Sequence, residues 1–187
     1  RQLLIEAGEL LNWNEINPDI LGSMIQTVAN AEARSTSGMH YTSVPNIMKV
    51  IKPLFLDNLR AAFTELEERA DYYIGGGDFS EEHRRKELRQ ILPKLEELLT
   101  RMASIKFLDP ACGCGNFLVV AYRELRLLEL SIINELMNEG EQVLDVAELI
   151  KVNVSQFYGI ELEEFPSQIA QTAMWLMDHQ INQLVAK

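Results

Sequence analysis

The chain has 187 residues, 47% of them hydrophobic and 24% charged, which is an ordinary globular composition with apolar material for one core. No apolar run is long enough to span a membrane as a helix, and nothing reads as a signal peptide, so a cytoplasmic protein is expected. The net charge of −11 excludes a module that grips nucleic acid mainly by its phosphates, because such a surface must be basic.

In chain order, residues 3–11 and 18–33 have the apolar spacing of amphipathic helices, separated by Asn12-Trp13-Asn14. Asn17-Pro18 reads as a helix start, and Trp13 as a core anchor. The polar stretch Arg34 to Ser43 then precedes an apolar helix over 45–63, with Thr42 or Ser43 as cap and Pro45 in the first turn. Asp71 to Gly77 ends in three glycines and predicts a flexible connection. It is not a nucleotide loop, because no lysine follows it and no strand precedes it. Asp78-x-x-Glu81 has the form of a capping box opening a charged helix, which Pro93 kinks or divides before an end near Ser104. Arg84, Arg85, Lys86 and Arg89 on that helix read as a solvated face.

The next stretch carries the chemistry. Ile105, Phe107 and Leu108 are the apolar run of a short strand covered on both faces, and Asp109 ends it. Pro110 and Ala111 begin a turn in which Gly113 and Gly115 permit positive φ and close approach of a ligand. Asn116 is placed to cap the following helix, whose first amides point back into the turn. Cys112 and Cys114 are one residue apart, too close for an ordinary disulfide and without zinc-knuckle spacing, and read as small packing residues. A phosphate loop would carry a lysine and no acid, because an anion must be neutralised. Here an acid closes the strand and the turn has no Lys or Arg, which suits a ligand with a cationic head, an ammonium or a sulfonium. The spacing is also not G-x-G-x-x-G, so dinucleotide binding is the weaker reading.

A long helix over 117–138 ends near Gly140, and a further helix is expected over 141–152. Phe157-Tyr158-Gly159-Ile160 is a second strand with Glu161 at its end, where a carboxylate faces the same crevice as the first turn. There it can accept both hydroxyls of a ribose, each charged hydrogen bond being worth about 1.5–3 kcal/mol. Pro166 starts the last helix, with Ile169, Ala173, Trp175, Leu176 and Met177 on or near its packed side. His179 has no second ligand in register, so no metal site is expected.

Asp109-Pro110-Ala111-Cys112-Gly113-x-Gly115-Asn116-Phe117-Leu118 resembles the S-adenosylmethionine-binding motif of adenine-specific DNA methyltransferases from restriction–modification systems. The resemblance is strongest to the large single-chain enzymes of the MmeI-like type. Gly38-x-His40-Tyr41-Thr42 resembles the same family's second cofactor motif, and implies that Tyr41 and Thr42 contact the methionine part. The acid usual after that threonine is replaced by Val44-Pro45, and these positions are given no role. Tyr158-Gly159-Ile160-Glu161 resembles the adenosine-binding strand.

The resemblance implies a fragment of a Rossmann-like α/β methyltransferase fold that is mostly helical, with residues 1–104 as a helical region and 105–187 as an incomplete cofactor domain. It also implies a parent enzyme that flips an adenine out of double-stranded DNA and methylates its exocyclic amine. The family's Asn/Asp-Pro-Pro-aromatic catalytic motif does not occur in the sequence. It is expected beyond Lys187, so the piece alone is expected to be inactive, with basic DNA-binding surface elsewhere in the parent. An unpaired apolar strand edge gives a further expectation, self-association. The rival readings are an RNA or protein-glutamine methyltransferase and a non-catalytic helical interaction module.

Overall fold

The computed structural model describes residues 16–18, 42–75, 78–138 and 149–185. The helices expected over 3–11 and 18–33, apart from Pro18, lie outside this range, as do Trp13, Tyr41 and the stretch 139–148. Pro18 itself is buried and helical.

Ser43 stands at the N-cap of α1 (Val44–Ile51) in extended backbone, and its carbonyl accepts the N–H groups of Asn46 and Ile47. Its side chain makes no capping bond. The helix then passes Pro53, which has no N–H to offer the preceding turn, through a π-helical turn at Lys52–Leu56. It continues as α2 (Asp57–Gly75). The extra residue of the wide turn lets one buried stripe run through it: Ile47, Ile51, Phe55, Leu56, Leu59, Phe63, Leu66 and Ala70. The helix expected to stop at 63 therefore extends through the first part of the glycine-rich connection.

α3 (Glu81–Ser104) runs unbroken past the exposed Pro93 and ends where the sequence indicated. Its cap is Ser80, whose hydroxyl accepts the N–H of His83 at 3.2 Å. The capping box expected at Asp78 does not form: the cap lies two residues later, and Glu81, already helical, pairs with Arg85. Tyr72, Tyr73, Phe79 and His83 pack in edge-to-face and tilted pairs where α2 meets α3, with ring centroids 5.3–5.8 Å apart.

β1 (Phe107–Asp109) and β2 (Phe157–Gly159) pair in parallel, with Phe107 opposite Phe157, Leu108 opposite Tyr158 and Asp109 opposite Gly159. Side chains opposite each other share a face. Phe107 and Phe157 accordingly stack at 4.6 Å and 7°, with Phe55 edge-on to one ring and Tyr122 edge-on to the other. The other face was expected to be covered as well. Leu108 is 62% exposed there and Tyr158 48%, whereas the phenylalanine side is packed by Phe55 and Tyr122.

α4 (Asn116–Asn138) is the central element: Leu118 through Tyr122 are all buried, as are Leu125, Leu128, Ile132, Ile133 and Leu136. α5 (Glu164–Val185) lies against it. One hydrophobic core thus runs from Ile47 to Ile181.

Two part-buried polar connections tie α4 to α5: Tyr122 donates to Asp178, and Arg126, paired with Glu129, donates to Asn182 at 2.6 Å. Both Arg126 and Glu129 are fully buried. The helix expected over 141–152 does not extend into its described end. Residues 149–153 are non-helical, and a 3₁₀ turn (Val154–Gln156) leads into β2. Trp175, expected in the core, is 71% exposed: the buried residues of α5 are Ala170, Ala173, Met174, Leu176, Met177 and Ile181, and the indole points away from them.

Candidate functional site

The two strands end at the same side of the sheet, and the backbone continues their pairing beyond the last strand residue. Asp109 carbonyl accepts the N–H of Ile160 at 2.9 Å, and Ile160 carbonyl accepts that of Cys112 at 3.0 Å. The turn after β1 is thereby fastened to the chain after β2. Within the turn, Asp109 Oδ1 accepts the N–H of Ala111 at 3.0 Å, and Cys112 carbonyl accepts that of Gly115 at 2.8 Å. Pro110, with no N–H, leaves Ala111 as the first donor available to the acid.

Glu161 reaches across from the second strand. Its Oε2 accepts the N–H of Gly113 at 2.9 Å, and its Oε1 accepts that of Glu163 at 3.0 Å. Each oxygen retains a lone pair for another donor. Asp109 and Glu161, drawn from residues 52 positions apart, thus flank one turn. The thiols in it register both acids. Burial foremost, then the charges of Asp109 and Glu161, push the Cys112 thiol above its ordinary value, and burial followed by Glu161 does the same for Cys114.

The three nearby glycines meet different demands. Gly113 and Gly115 both have positive φ, 53° and 81°. A Cβ on Gly115 would stand 2.8 Å from the Cβ of Ala170, so α5 can approach the turn only because the residue is glycine. A Cβ on Gly159 would stand 2.6 Å from Cys112 Sγ. Over Gly113 nothing lies within 4 Å, leaving an open backbone floor between the two acids. Asn116, expected as a cap, is the first residue inside α4, and Gly115 carbonyl accepts the first helical N–H, from Val119 at 2.9 Å.

The structure therefore brings Asp109, Pro110, Ala111, Cys112, Gly113, Gly115, Asn116 and Glu161 to one place. Thr42 lies in the exposed stretch before α1, with no bond to the turn among the described residues, and Tyr41 falls outside them. Leu162, next to Glu161, is 97% exposed, an apolar surface with no local signal in the sequence to single it out. Gln156 is likewise new, although Asn153-x-x-Gln156 has the spacing of a capping box, which it forms. No cluster of potential metal ligands is found among the described residues.

Residues 81–187 match the family model of the MmeI DNA-methyltransferase domain. The chain belongs to the MmeI-like methyltransferase family. It is 51% identical over 183 residues to DNA methyltransferase A of Bacillus subtilis, covering 98% of this chain and 18% of that protein. It is 30% identical over 115 residues to the adenine-specific methyltransferase BrxX of Escherichia coli, covering 62% of this chain and 8% of the relative. Among solved structures it matches the Type IIL restriction–modification enzyme MmeI in complex with DNA, with a TM-score of 0.74 and 45% identity, over 94% of this chain and 21% of that one. The chain thus spans about a fifth or less of the length of these relatives.

Proposed function

We propose that this chain is the S-adenosylmethionine-binding portion of a restriction–modification DNA methyltransferase that acts on the exocyclic amine of adenine. The observation that carries the reading is the placement of Asp109 and Glu161 on either side of the open backbone at Gly113. Two carboxylates and no cation around a glycine floor fit a ligand that is positive at one end and has hydroxyls at the other. A pyrophosphate would be repelled by the same arrangement.

In this reading the free lone pairs of Glu161 accept the ribose hydroxyls, and the exposed Leu162 beside it offers apolar surface to the purine. Asp109 lends negative charge to the cationic amino-acid end, and Gly113 allows the ligand to lie against the main chain. Thr42, with Tyr41, is the second contribution to the methionine end. The bound cofactor supplies an electrophilic methyl group on sulfur. This chain's residues bind and orient it, within a Rossmann-like fold of which β1 and β2 are two strands.

Membership of the MmeI-like family favours DNA over RNA or protein as substrate, and the relative named as adenine-specific favours adenine. With a net charge of −11, the chain leaves most phosphate contact to other parts of the full-length protein. The catalytic Asn/Asp-Pro-Pro-aromatic motif does not occur in this stretch, so in this reading the stretch alone transfers no methyl group. Calorimetry of S-adenosylmethionine binding tests the assignment, with Asp109→Ala and Glu161→Ala each expected to weaken it at least tenfold, on the scale of one charged hydrogen bond of roughly 1.5–3 kcal/mol. Undiminished affinity in both variants overturns it.

A further inference from the structure

Two paired strands of three residues have few ladder bonds with which to fix their own register. Register matters here more than usual. A slip of β2 by one residue would replace Glu161 beside Gly113 with Ile160 or Leu162 and turn alternate side chains to the opposite face.

The residue immediately before β2 supplies a constraint from outside the ladder. Gln156 is 5% exposed, and its Nε2 donates to the carbonyls of Met102 at 2.9 Å and Ile105 at 2.8 Å. Its Oε1 accepts the N–H of Asn153 at 2.9 Å. The two carbonyls stand where α3 ends and the chain enters β1, a place where helical carbonyls lack intrahelical partners. Ile105 precedes Phe107 by two residues, and Gln156 precedes Phe157 by one, so a single amide ties the start of one strand to the start of the other. Upstream, the buried Glu129 holds the N–H groups of Lys151 and Val152, both at 2.7 Å. The lead-in to β2 is fastened at both ends by side chains that are themselves buried.

We infer that Gln156 is a positioning residue for cofactor recognition: by locking β2 against the end of α3 it sets the height at which Glu161 meets the ligand ribose. This rests on the reading that Glu161 accepts the ribose hydroxyls. Gln156 touches no ligand and acts only through β2.

The test compares S-adenosylhomocysteine with its 2′-deoxy analogue by calorimetry on the full-length polypeptide, in its unsubstituted form and as Gln156→Met and Gln156→Glu. Met nearly preserves volume, whereas Glu retains the acceptor for Asn153 and loses both donations. Gln156→Glu carries the test if Gln156→Met does not fold, as judged by thermal unfolding. The unsubstituted protein is expected to prefer the ribose-bearing ligand about tenfold or more, the scale of one charged hydrogen bond. In the Gln156 variants, as in Glu161→Ala, that preference is expected to collapse to about twofold or less. Equal weakening of both ligands with the preference retained is the mark of a merely structural role and overturns the inference alone. No preference in the unsubstituted protein overturns the ribose reading, and this inference with it.

Discussion

Glu161, at the end of β2, accepts the backbone N–H of Gly113, 48 residues earlier in the chain, at 2.9 Å. The acid is therefore part of the turn's structure before any ligand arrives. Glu161→Ala is expected to lower stability by about 1–2 kcal/mol through the lost acceptor, besides weakening cofactor binding. Glu161→Gln keeps one acceptor oxygen, for the N–H of Gly113 or of Glu163 but not both, and should recover part of the stability while losing the charge. Urea unfolding of the two variants beside calorimetry separates the contributions, and equal stability losses would show that the Gly113 contact contributes nothing.

The glycines of the turn should respond unequally to alanine. Gly113→Ala meets only the backbone penalty of its positive φ, about 1–2 kcal/mol. Gly115→Ala carries that penalty and also drives a methyl into Ala170, 2.8 Å away, so α5 must shift. The second variant is expected to be less stable by a further 1 kcal/mol or more, on the order of an overpacked core site. Denaturant midpoints for the pair decide this, and an order reversed from this one would mean that α5 yields freely.

The thiols of Cys112 and Cys114 are held above their ordinary value of 9.0, first by burial and then by carboxylate charge. A raised value means less thiolate at a given pH, so alkylation by iodoacetamide at pH 8 should run slower than on a free cysteine. Glu161→Gln removes one cause for both thiols and should speed the reaction. Mass-spectrometric rates at the two positions check this, and thiols that react as fast as free cysteine would contradict the burial.

Tyr122, buried and donating to Asp178, has its hydroxyl held well above the ordinary tyrosine value of 10.0, first by burial and then by that bond. The folded state therefore holds its proton more tightly than the unfolded one. The resulting stability is fully present below pH 10 and declines as pH rises above it. Tyr122→Phe is expected to cost about 0.5–1.5 kcal/mol at neutral pH and to flatten the alkaline fall in melting temperature. Thermal scans of both proteins from pH 7 to about 11 would reveal unchanged alkaline sensitivity if another group is responsible.

The turn and its two acids were legible in the sequence because their signals are local: an apolar run, an acid at its end, and glycines where φ must be positive. The parallel pairing of Phe107 with Phe157 places both acids at one end, as a strand–helix–strand unit requires. Elsewhere, local signals competed with packing. The apolar helix reads as ending at 63, but the buried stripe continues through Leu66 and Ala70 and α2 runs on to Gly75. Ser80 and Asp78 are both good caps, and it is the Ser80 hydroxyl that accepts the N–H of His83. Trp175 adjoins the buried Met174 and Leu176, so hydrophobicity alone could not show which way its ring would turn. Gln156 gave no sign of its reach to Met102, 54 residues away, since that contact depends on tertiary structure.

The bonds from Ile160 to Asp109 and from Cys112 to Ile160 have one more effect, on timing. They stitch the glycine turn into the sheet's hydrogen-bond ladder, so the cradle cannot open without breaking the strand pairing. The amides of Cys112 and Ile160 should then exchange with deuterium as slowly as those of the strands themselves. A ligand entering such a ready-made seat has little backbone ordering left to impose, and more of its contact energy is retained as affinity.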